Sequence, residues 1–319
     1  MALFLSSAEA SHAQTDSQYV ISYYNNLLPR LISDYEVMST SFSRQEGNTR
    51  ITDKFSTGAQ NFIGAEVDYK WASLGYSLVL DKNNSAHNTD LRFATAFGHL
   101  HVQVNYTGLT NLNYYRLGGA NEQDTLYFAK EHDIVLRNAG VRLDYVFNSR
   151  RFYYPSAVAT SGQQLRSQGS FVLSAGLYYQ DFDLRGLTDS ILQVFQNGYG
   201  ANRFQTVRAD IGLGYSYNWV LAPRWAIYFT ELPNCGIQQL ITSENTNTRH
   251  DYSISVTNYV RAGLVYTWRN KFIGAYAYNS TTSSTWGGYT YSSTYTTFQL
   301  HFAMVLRDVA KRRERFIDR

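Results

Sequence analysis

The chain has 319 residues, of which 4 are proline and 1 is cysteine, and its formal net charge is +3. So small a charge gives no reason to expect a nucleic-acid partner, and one cysteine excludes an intrachain disulfide. The mean hydropathy is -0.34, and no apolar run approaches the ~20 residues of a spanning helix, which excludes a helical inner-membrane protein. Aromatic residues make up 16%, as is typical of proteins with aromatic belts at both membrane interfaces.

The N-terminal residues are interpreted as export and periplasmic segments. Residues 1–13 end in the small-x-small pattern Ser11 to Ala13, which is typical of a signal-peptide cleavage site. Residues 14–33 are predicted to hold a short periplasmic helix that ends before Pro29. Its apolar residues recur at helical spacing: Val20, Tyr23, Tyr24, Leu27 and Leu28.

Between residues 34 and 307 the dominant pattern is an alternation of period two. In the run Ile63 to Trp71 one face is apolar or aromatic and the other is mostly charged. Such a period describes strands with one face toward lipid and the other toward a polar interior. Because the pattern recurs about a dozen times, we predict an all-β protein, an antiparallel transmembrane β-barrel in the outer membrane of a Gram-negative bacterium.

Turns are placed where the apolar residues change from odd to even positions or back, because the residues that flank a tight turn face the same side. These turns leave the number of strands ambiguous. Tight turns are predicted at 70–71, 98–99, 148–150 and 269–270, and polar outer loops at 45–59, 82–88, 108–133, 241–253 and 281–292. Thirteen candidate strands result, although an even number is required. Either one candidate between Arg151 and Arg203 does not cross, giving twelve strands, or residues 184–199 hide another, giving fourteen; we favour twelve. Residues 308–319 are interpreted as a basic periplasmic tail.

The predicted lumen face carries charges of both signs. These are Glu66, Asp68, Lys70, Asp90, Arg92, Arg142, Asp144, Arg208, Asp210, Arg261 and Arg269. A selective pore would be expected to show a ring of one sign. The five acids and six bases favour mutual neutralisation and a narrow or plugged lumen. A small diffusion pore and a catalytic pair among these residues are the alternatives.

Few residues outside this network could take part in catalysis, metal binding or partner binding. His99 and His101 share a strand face and could supply half a metal site, but two polar residues near a turn are favoured, and no metal or cofactor is predicted. No common hydrolase or nucleotide-binding motif is present, so no enzyme is predicted. Aromatic residues of the outer loops are candidate contacts for a glycan or an envelope protein: Tyr114, Tyr115, Tyr127, Trp286, Tyr289 and Tyr291.

A resemblance to a known family covers most of the predicted barrel. Its sharpest part is Arg137 to Val158, with Tyr145 to Asn148 and then Arg151 to Tyr154, followed by Ser167 to Ser170 before an apolar strand. These residues resemble domain-of-unknown-function family 4421, a family of outer-membrane barrels of the Bacteroides lineage. The resemblance implies architecture and location but no chemistry. The leading hypothesis is therefore a structural or binding barrel in contact with outer-membrane lipid; a diffusion pore and a lipid- or peptide-hydrolysing barrel are the alternatives.

Overall fold

A computed structural model of the chain describes residues 15–23, 26–70, 72–80, 89–118, 124–154, 162–187, 189–244 and 247–306. The predicted signal-peptide remnant (1–13) and basic tail (308–319) lie outside these residues. No helix among those described is long and apolar enough to cross a membrane.

The architecture is a closed antiparallel barrel of twelve strands, β2–β7 and β9–β14. In chain order the elements are β1 Val20–Ser22, β2 Leu27–Glu46, β3 Thr49–Tyr69, β4 Ala72–Val79, β5 Thr89–Phe97, β6 Leu100–Gly118, β7 Asp124–Val146, β8 Gly162–Gln164, β9 Gln168–Asp183, α1 Asp189–Tyr199, β10 Arg203–Ala222, β11 Trp225–Glu244, β12 Asn247–Trp268, β13 Lys271–Trp286 and β14 Tyr289–Met304. The count of twelve is confirmed, because residues 184–199 contain a helix and no further crossing.

The alternation of faces is also confirmed. Outward apolar side chains are exposed, as at Leu31 (63%) and Ile211 (60%), whereas inward Asp90 (3%) and Asp144 (0%) are shielded from solvent. An apolar outer surface around a polar interior is the arrangement of transmembrane barrels. We call the end of the barrel that holds Leu27 and Met304 the periplasmic end.

The predicted N-terminal helix is wrong. Residues 20–22 form β1, and β2 begins at Leu27, so the barrel starts seven residues earlier than residue 34. Pro29 lies inside β2, next to Arg30, where the ladder with β14 stops, so its missing amide interrupts no pair on that side. Pairing with both neighbouring strands overrides the helical spacing of the apolar residues.

Most of the predicted outer loops are strands. Residues 45–59, 241–253 and 281–292 continue the barrel upward to short turns, at Gly47 and at Gly287–Gly288 where the chain is described, and most of 108–133 belongs to β6 and β7. The loop at 82–88 lies outside the described residues. Apolar alternation fades here because the outward face is rich in Thr and Ser, as on β13 and β14.

The short strands β4 and β5 make a fork in the wall. Residues 62–69 of β3 pair with β4, whereas residues 52–56 pair directly with residues 113–117 of β6. The hairpin of β4 and β5 therefore occupies only the periplasmic part of the wall. Ten of the twelve strands continue above it. Because barrel diameter grows with strand number, the outer section is the narrower one.

Residues 184–187 and 189–202, which we call the outer plug, lie in the outer mouth. Its helix α1 inserts Phe195, which is fully buried, among rings from several strands, with centroids 5.3 Å from Phe55 and 6.2 Å from Phe42. Leu184, Leu187 and further lumen-facing side chains complete this apolar cluster. These packed apolar side chains lie across the outer mouth of the described part of the barrel.

The periplasmic mouth is filled by residues 15–23, 147–154 and 162–167, which we call the periplasmic plug. In it β1 pairs with β8. The Gln164 side chain accepts from the backbone amide of Tyr153 and donates to the carbonyls of Tyr19 and Arg151. Tyr154 is buried and its hydroxyl donates to Asp144 at 3.1 Å, so the plug is anchored to the lumen wall.

Candidate functional site

A cavity of about 300 Å³ lies in the lumen between the two plugs. Its volume is at the lower end of the ~300–1,000 Å³ typical of small-ligand sites. Charged, tyrosine and hydroxyl-bearing side chains from most of the barrel strands line it. The lumen is therefore the candidate functional site.

On one wall, two arginines each neutralise several carboxylates. Arg30 of β2, with a side chain 2% exposed, pairs with Asp68 and lies 3.4 Å from Glu66. Two such partners keep a guanidinium charged within a shielded site.

The second arginine of this wall, Arg92 of β5, has three carboxylate partners. Its Nη2 lies 2.8 Å from Glu36 and 3.2 Å from Asp34, and its Nε donates to Asp90 at 2.6 Å. Arg30, Asp34 and Glu36 are not among the predicted lumen charges: Arg30 falls in the predicted periplasmic segment, and Asp34 and Glu36, at the start of the predicted barrel, are not placed on a strand face. The alternation of these residues with Leu31, Ser33 and Tyr35 was the signal available for finding them.

On the opposite wall, arginines stack on tyrosines. The Arg208 guanidinium lies 4.4 Å from the ring centroid of Tyr178, and that of Arg142 lies 5.2 Å from Tyr259. Cation–π contacts of this kind gain strength away from water. Each arginine also has a carboxylate two residues further along its own strand, Asp210 at 3.2 Å and Asp144 at 3.1 Å.

Arg261 of β12 differs from the other lumen arginines. It stacks on Tyr278 at 4.9 Å, and its Nη2 lies 3.4 Å from Gln103 Oε1. Among the described residues no carboxylate lies within ion-pair distance of it, and its buried Nη1 has no hydrogen-bond partner. Arg142 donates to the same Gln103 oxygen at 2.9 Å, so two guanidinium groups converge on one neutral acceptor.

Lys70 and Arg269 are not in the lumen, which corrects their predicted place. Both occupy periplasmic turns with left-handed backbones, at φ 51° and 56°, and both are exposed. Their side chains lie over the outward rings of Tyr69 and Trp268. The prediction extended the alternation of faces one residue too far at each strand end, because a residue in a turn no longer follows that alternation.

More arginines than carboxylates line the cavity, although the predicted lumen charges include nearly equal numbers of acids and bases. Its charged lining residues are Arg30, Glu66, Asp90, Arg92, Arg142, Arg208 and Arg261, five bases and two acids. The remaining carboxylates, at 34, 36, 68, 144 and 210, are buried in the wall behind them. Short carboxylates stay near the backbone while long arginines reach toward the axis. The cavity therefore presents mainly guanidinium groups.

The two histidines make no metal site with other described residues, which contain no cluster of three possible ligands. His99 Nδ1 lies 2.8 Å from the Val146 carbonyl and 2.9 Å from Ser149 Oγ. If Nδ1 carries the proton that the carbonyl accepts, it offers the serine no lone pair. His101 is buried against the edge of Tyr154.

The predicted outer contacts lie on strands rather than loops. Tyr114 and Tyr291 are buried in the apolar cluster of the outer plug, so their prediction as surface contacts is wrong. Trp286 packs against this cluster, and Tyr289 donates its hydroxyl to the carbonyl of Gly198 at 3.1 Å. Tyr115 is half-buried on β6; Tyr127 lies on β7, and its side chain is outside the described residues.

The outer plug is fastened by a buried carboxylate, Asp53 of β3. The hydroxyl of Tyr199, at the end of α1, donates to Asp53 Oδ2 at 2.8 Å, and Tyr114 donates to Oδ1 at 2.5 Å. Burial and the Asp53 charge raise the pKa of Tyr199 above its ordinary value. Arg44 lies over the Tyr199 ring at 4.7 Å. The plug thus has a polar anchor beside its aromatic packing.

The fold and this site define a transmembrane β-barrel of the outer-membrane type, with segments of its own chain packed into both mouths. Within that class, the chain belongs to the family described as Domain of unknown function (DUF4421), whose model matches residues 14–304. The family predicted from sequence is therefore confirmed. No curated protein matches the chain.

Three solved outer-membrane proteins match the chain over most of its length. The outer membrane protease OmpT from Escherichia coli is 7% identical, with 90% of this chain and 98% of that chain covered, at a TM-score of 0.38. The translocator domain of autotransporter NalP from Neisseria meningitidis is 10% identical, with 93% of each chain covered, at 0.34. The P. putida toluene transporter TodX is 8% identical, with 88% and 90% covered, at 0.30. Such scores carry no functional information, so the role has to be argued from this chain's own residues.

Proposed function

We propose that the protein is a non-conducting outer-membrane barrel that binds a small ligand in its enclosed lumen. The observation that carries the proposal is closure at both mouths by segments of the same chain. The outer plug packs Phe195 against lumen-facing rings, and the periplasmic plug anchors Tyr154 to Asp144. Between them remains a cavity of about 300 Å³, which suits a ligand better than a permeation path.

The alternatives have weaker support. A small diffusion pore needs a continuous aqueous path, and both plugs lie across it. A lipid- or peptide-hydrolysing barrel needs a nucleophile with a free base, and the contact between Ser149 and His99 is explained by the hydrogen bonds of a turn. Lipid contacts the outward apolar band, and the exposed outer ends of the strands are the proposed place for an envelope protein or a glycan.

Planar-bilayer conductance tests the proposal. The natural chain should give no stable open channel. A positive control removes both plugs, by deleting residues 15–23 and by replacing residues 147–167 and 189–199 with Gly/Ser linkers. This variant should conduct, and its conductance shows that the absence of a channel in the natural chain is not a failure to insert into the bilayer. Steady conductance by the natural chain would overturn the proposal.

A further inference from the structure

We propose that the lumen cavity is a binding site for an anionic monosaccharide, one that carries a phosphate or carboxylate group, with Arg261 and Arg142 as the residues that bind the anion. This inference rests on the proposed function, since it requires an enclosed lumen that holds a ligand. It names the chemical class of that ligand.

The first support is the charge of the cavity surface. Five guanidinium groups and two carboxylates face the same space of about 300 Å³. Four of these guanidinium groups already have carboxylate partners, whereas Arg261 has none among the described residues. A shielded cation is costly unless an anion compensates it, and a ligand with one negative charge beside Arg261 would supply that compensation.

The second support is the incomplete coordination of Arg261. Its Nη1 is buried without a hydrogen-bond partner, whereas Arg142, which faces the same cavity, has Asp144 at 3.1 Å. Both arginines point at Gln103 Oε1, at 3.4 Å and 2.9 Å. A phosphate or carboxylate placed between the two guanidinium groups would accept from the unpartnered Arg261 Nη1 and from Arg142 in charge-assisted hydrogen bonds.

The third support is the lining around the arginines, which suits a hydroxylated ring. Seven tyrosines line the cavity, and all except the exposed Tyr179 have a buried or half-buried ring: Tyr178, Tyr259, Tyr276, Tyr278, Tyr291 and Tyr295. Tyrosine offers an apolar face and a polar edge, which match the two aspects of a sugar. Gln238 is 1% exposed, lines the cavity and has an Nε2 without a partner, so an amide donor is also available for a hydroxyl group.

Calorimetric titration of the full chain in detergent tests this inference with four probes: glucose 6-phosphate, glucuronate, glucose and inorganic phosphate. We expect both anionic sugars to bind at least tenfold more tightly than glucose, a difference of about 1.4 kcal/mol, and glucose 6-phosphate to bind more tightly than inorganic phosphate. Equal binding of glucose would overturn the role of the anion. Equal binding of inorganic phosphate would overturn the monosaccharide.

Variants locate the site. Arg261→Gln should weaken glucose 6-phosphate binding at least tenfold, whereas Arg269→Gln, which removes the same charge at an exposed periplasmic turn, should leave it unchanged. Arg261→Lys keeps the charge without the planar stack and should lose less. Heat-modifiable migration on a gel checks that each variant is folded. Unchanged binding by Arg261→Gln would overturn the assignment.

Access through the plugs is controlled with Tyr199→Phe, which loosens the outer plug without touching the cavity arginines. Absence of binding in both the natural chain and this variant would overturn the anionic-sugar site while leaving a non-conducting barrel in place. Conductance by the natural chain would instead overturn the enclosed lumen itself. The two failures are therefore distinguishable.

Discussion

Removal of a single hydroxyl group, by Tyr199→Phe, should loosen the outer plug while leaving its aromatic packing intact. The hydroxyl donates to the buried carboxylate of Asp53 at 2.8 Å, and a hydrogen bond to a charged group contributes about 1.5–3 kcal/mol. The ring itself keeps its contacts with Phe195 and Phe42. Opening of α1 should therefore become roughly 10- to 150-fold more frequent.

Hydrogen exchange measured by mass spectrometry on a peptide covering residues 189–199 reports this opening directly. Exchange of the α1 amides should accelerate in Tyr199→Phe, while exchange in β9 and β10 should not change. A matched control is Tyr145→Phe, which removes a hydroxyl from a tyrosine that is 41% exposed on the outward face of β7. This control should leave α1 as protected as in the natural chain.

The reasoning would be refuted by equal protection of α1 in the natural chain and in Tyr199→Phe. Such a result would mean that packing of Phe195 fixes the helix and that the Asp53 anchor contributes nothing. Acceleration of exchange throughout the barrel would refute it differently, because it would show that the hydroxyl supports the whole fold rather than the plug.

Three further predictions follow from the same contacts. The folded-state pKa of Tyr199 is raised above the ordinary value of about 10. The contribution of its hydroxyl to the stability of the outer plug should therefore be complete below pH ~10 and decline above it. Hydrogen exchange of α1, corrected for its intrinsic pH dependence, should show this loss in the natural chain but not in Tyr199→Phe. Arg30→Met should destabilise the barrel by ~3–5 kcal/mol, measured as a lower temperature for loss of the folded gel band, and adding Glu66→Gln with Asp68→Asn should restore most of it; no recovery would contradict the ion-pair explanation. Gly214→Ala would place a Cβ 2.0 Å from the carbonyl oxygen of Glu231 and should cost ~1–3 kcal/mol in the same assay, whereas Gly108→Ala, whose nearest neighbour is the Tyr106 hydroxyl at 3.5 Å, should cost far less.

The strand count and the facing of the membrane strands could be predicted because lipid imposes a strict period of two. The prediction failed where that constraint is absent. Above the membrane, water contacts the outward face, and the Thr- and Ser-rich ends of β13 and β14 therefore resemble loops in sequence although they pair fully. At the periplasmic turns, the alternation of faces predicts that Lys70 and Arg269 point into the lumen. Both have left-handed backbones and belong to turns, where the alternation no longer holds.

Of the candidate site, the sequence could predict which charged residues face the lumen but not how they pair. Alternation places Arg142, Arg208 and Arg261 on the lumen face. It does not show that carboxylates lie behind the first two, or that Arg261 has no such partner among the described residues. Those facts depend on side-chain length and on pairing across strands that are distant in sequence. The plugs were missed for a related reason: α1 forms through contact with rings from distant strands.

The fork at β3 also bears on how strand number is set in this wall. If the β3–β6 register seen at residues 52–56 continued downward, Tyr69 would meet Leu100, the residues at which the two strands end. The hairpin of β4 and β5 thus lies between two strands whose periplasmic ends fall opposite each other in that register. A chain lacking it could still close, as a ten-stranded barrel with an unbroken ladder. Strand number can therefore grow by a whole hairpin, which keeps the count even and leaves the outer plug and its anchor undisturbed.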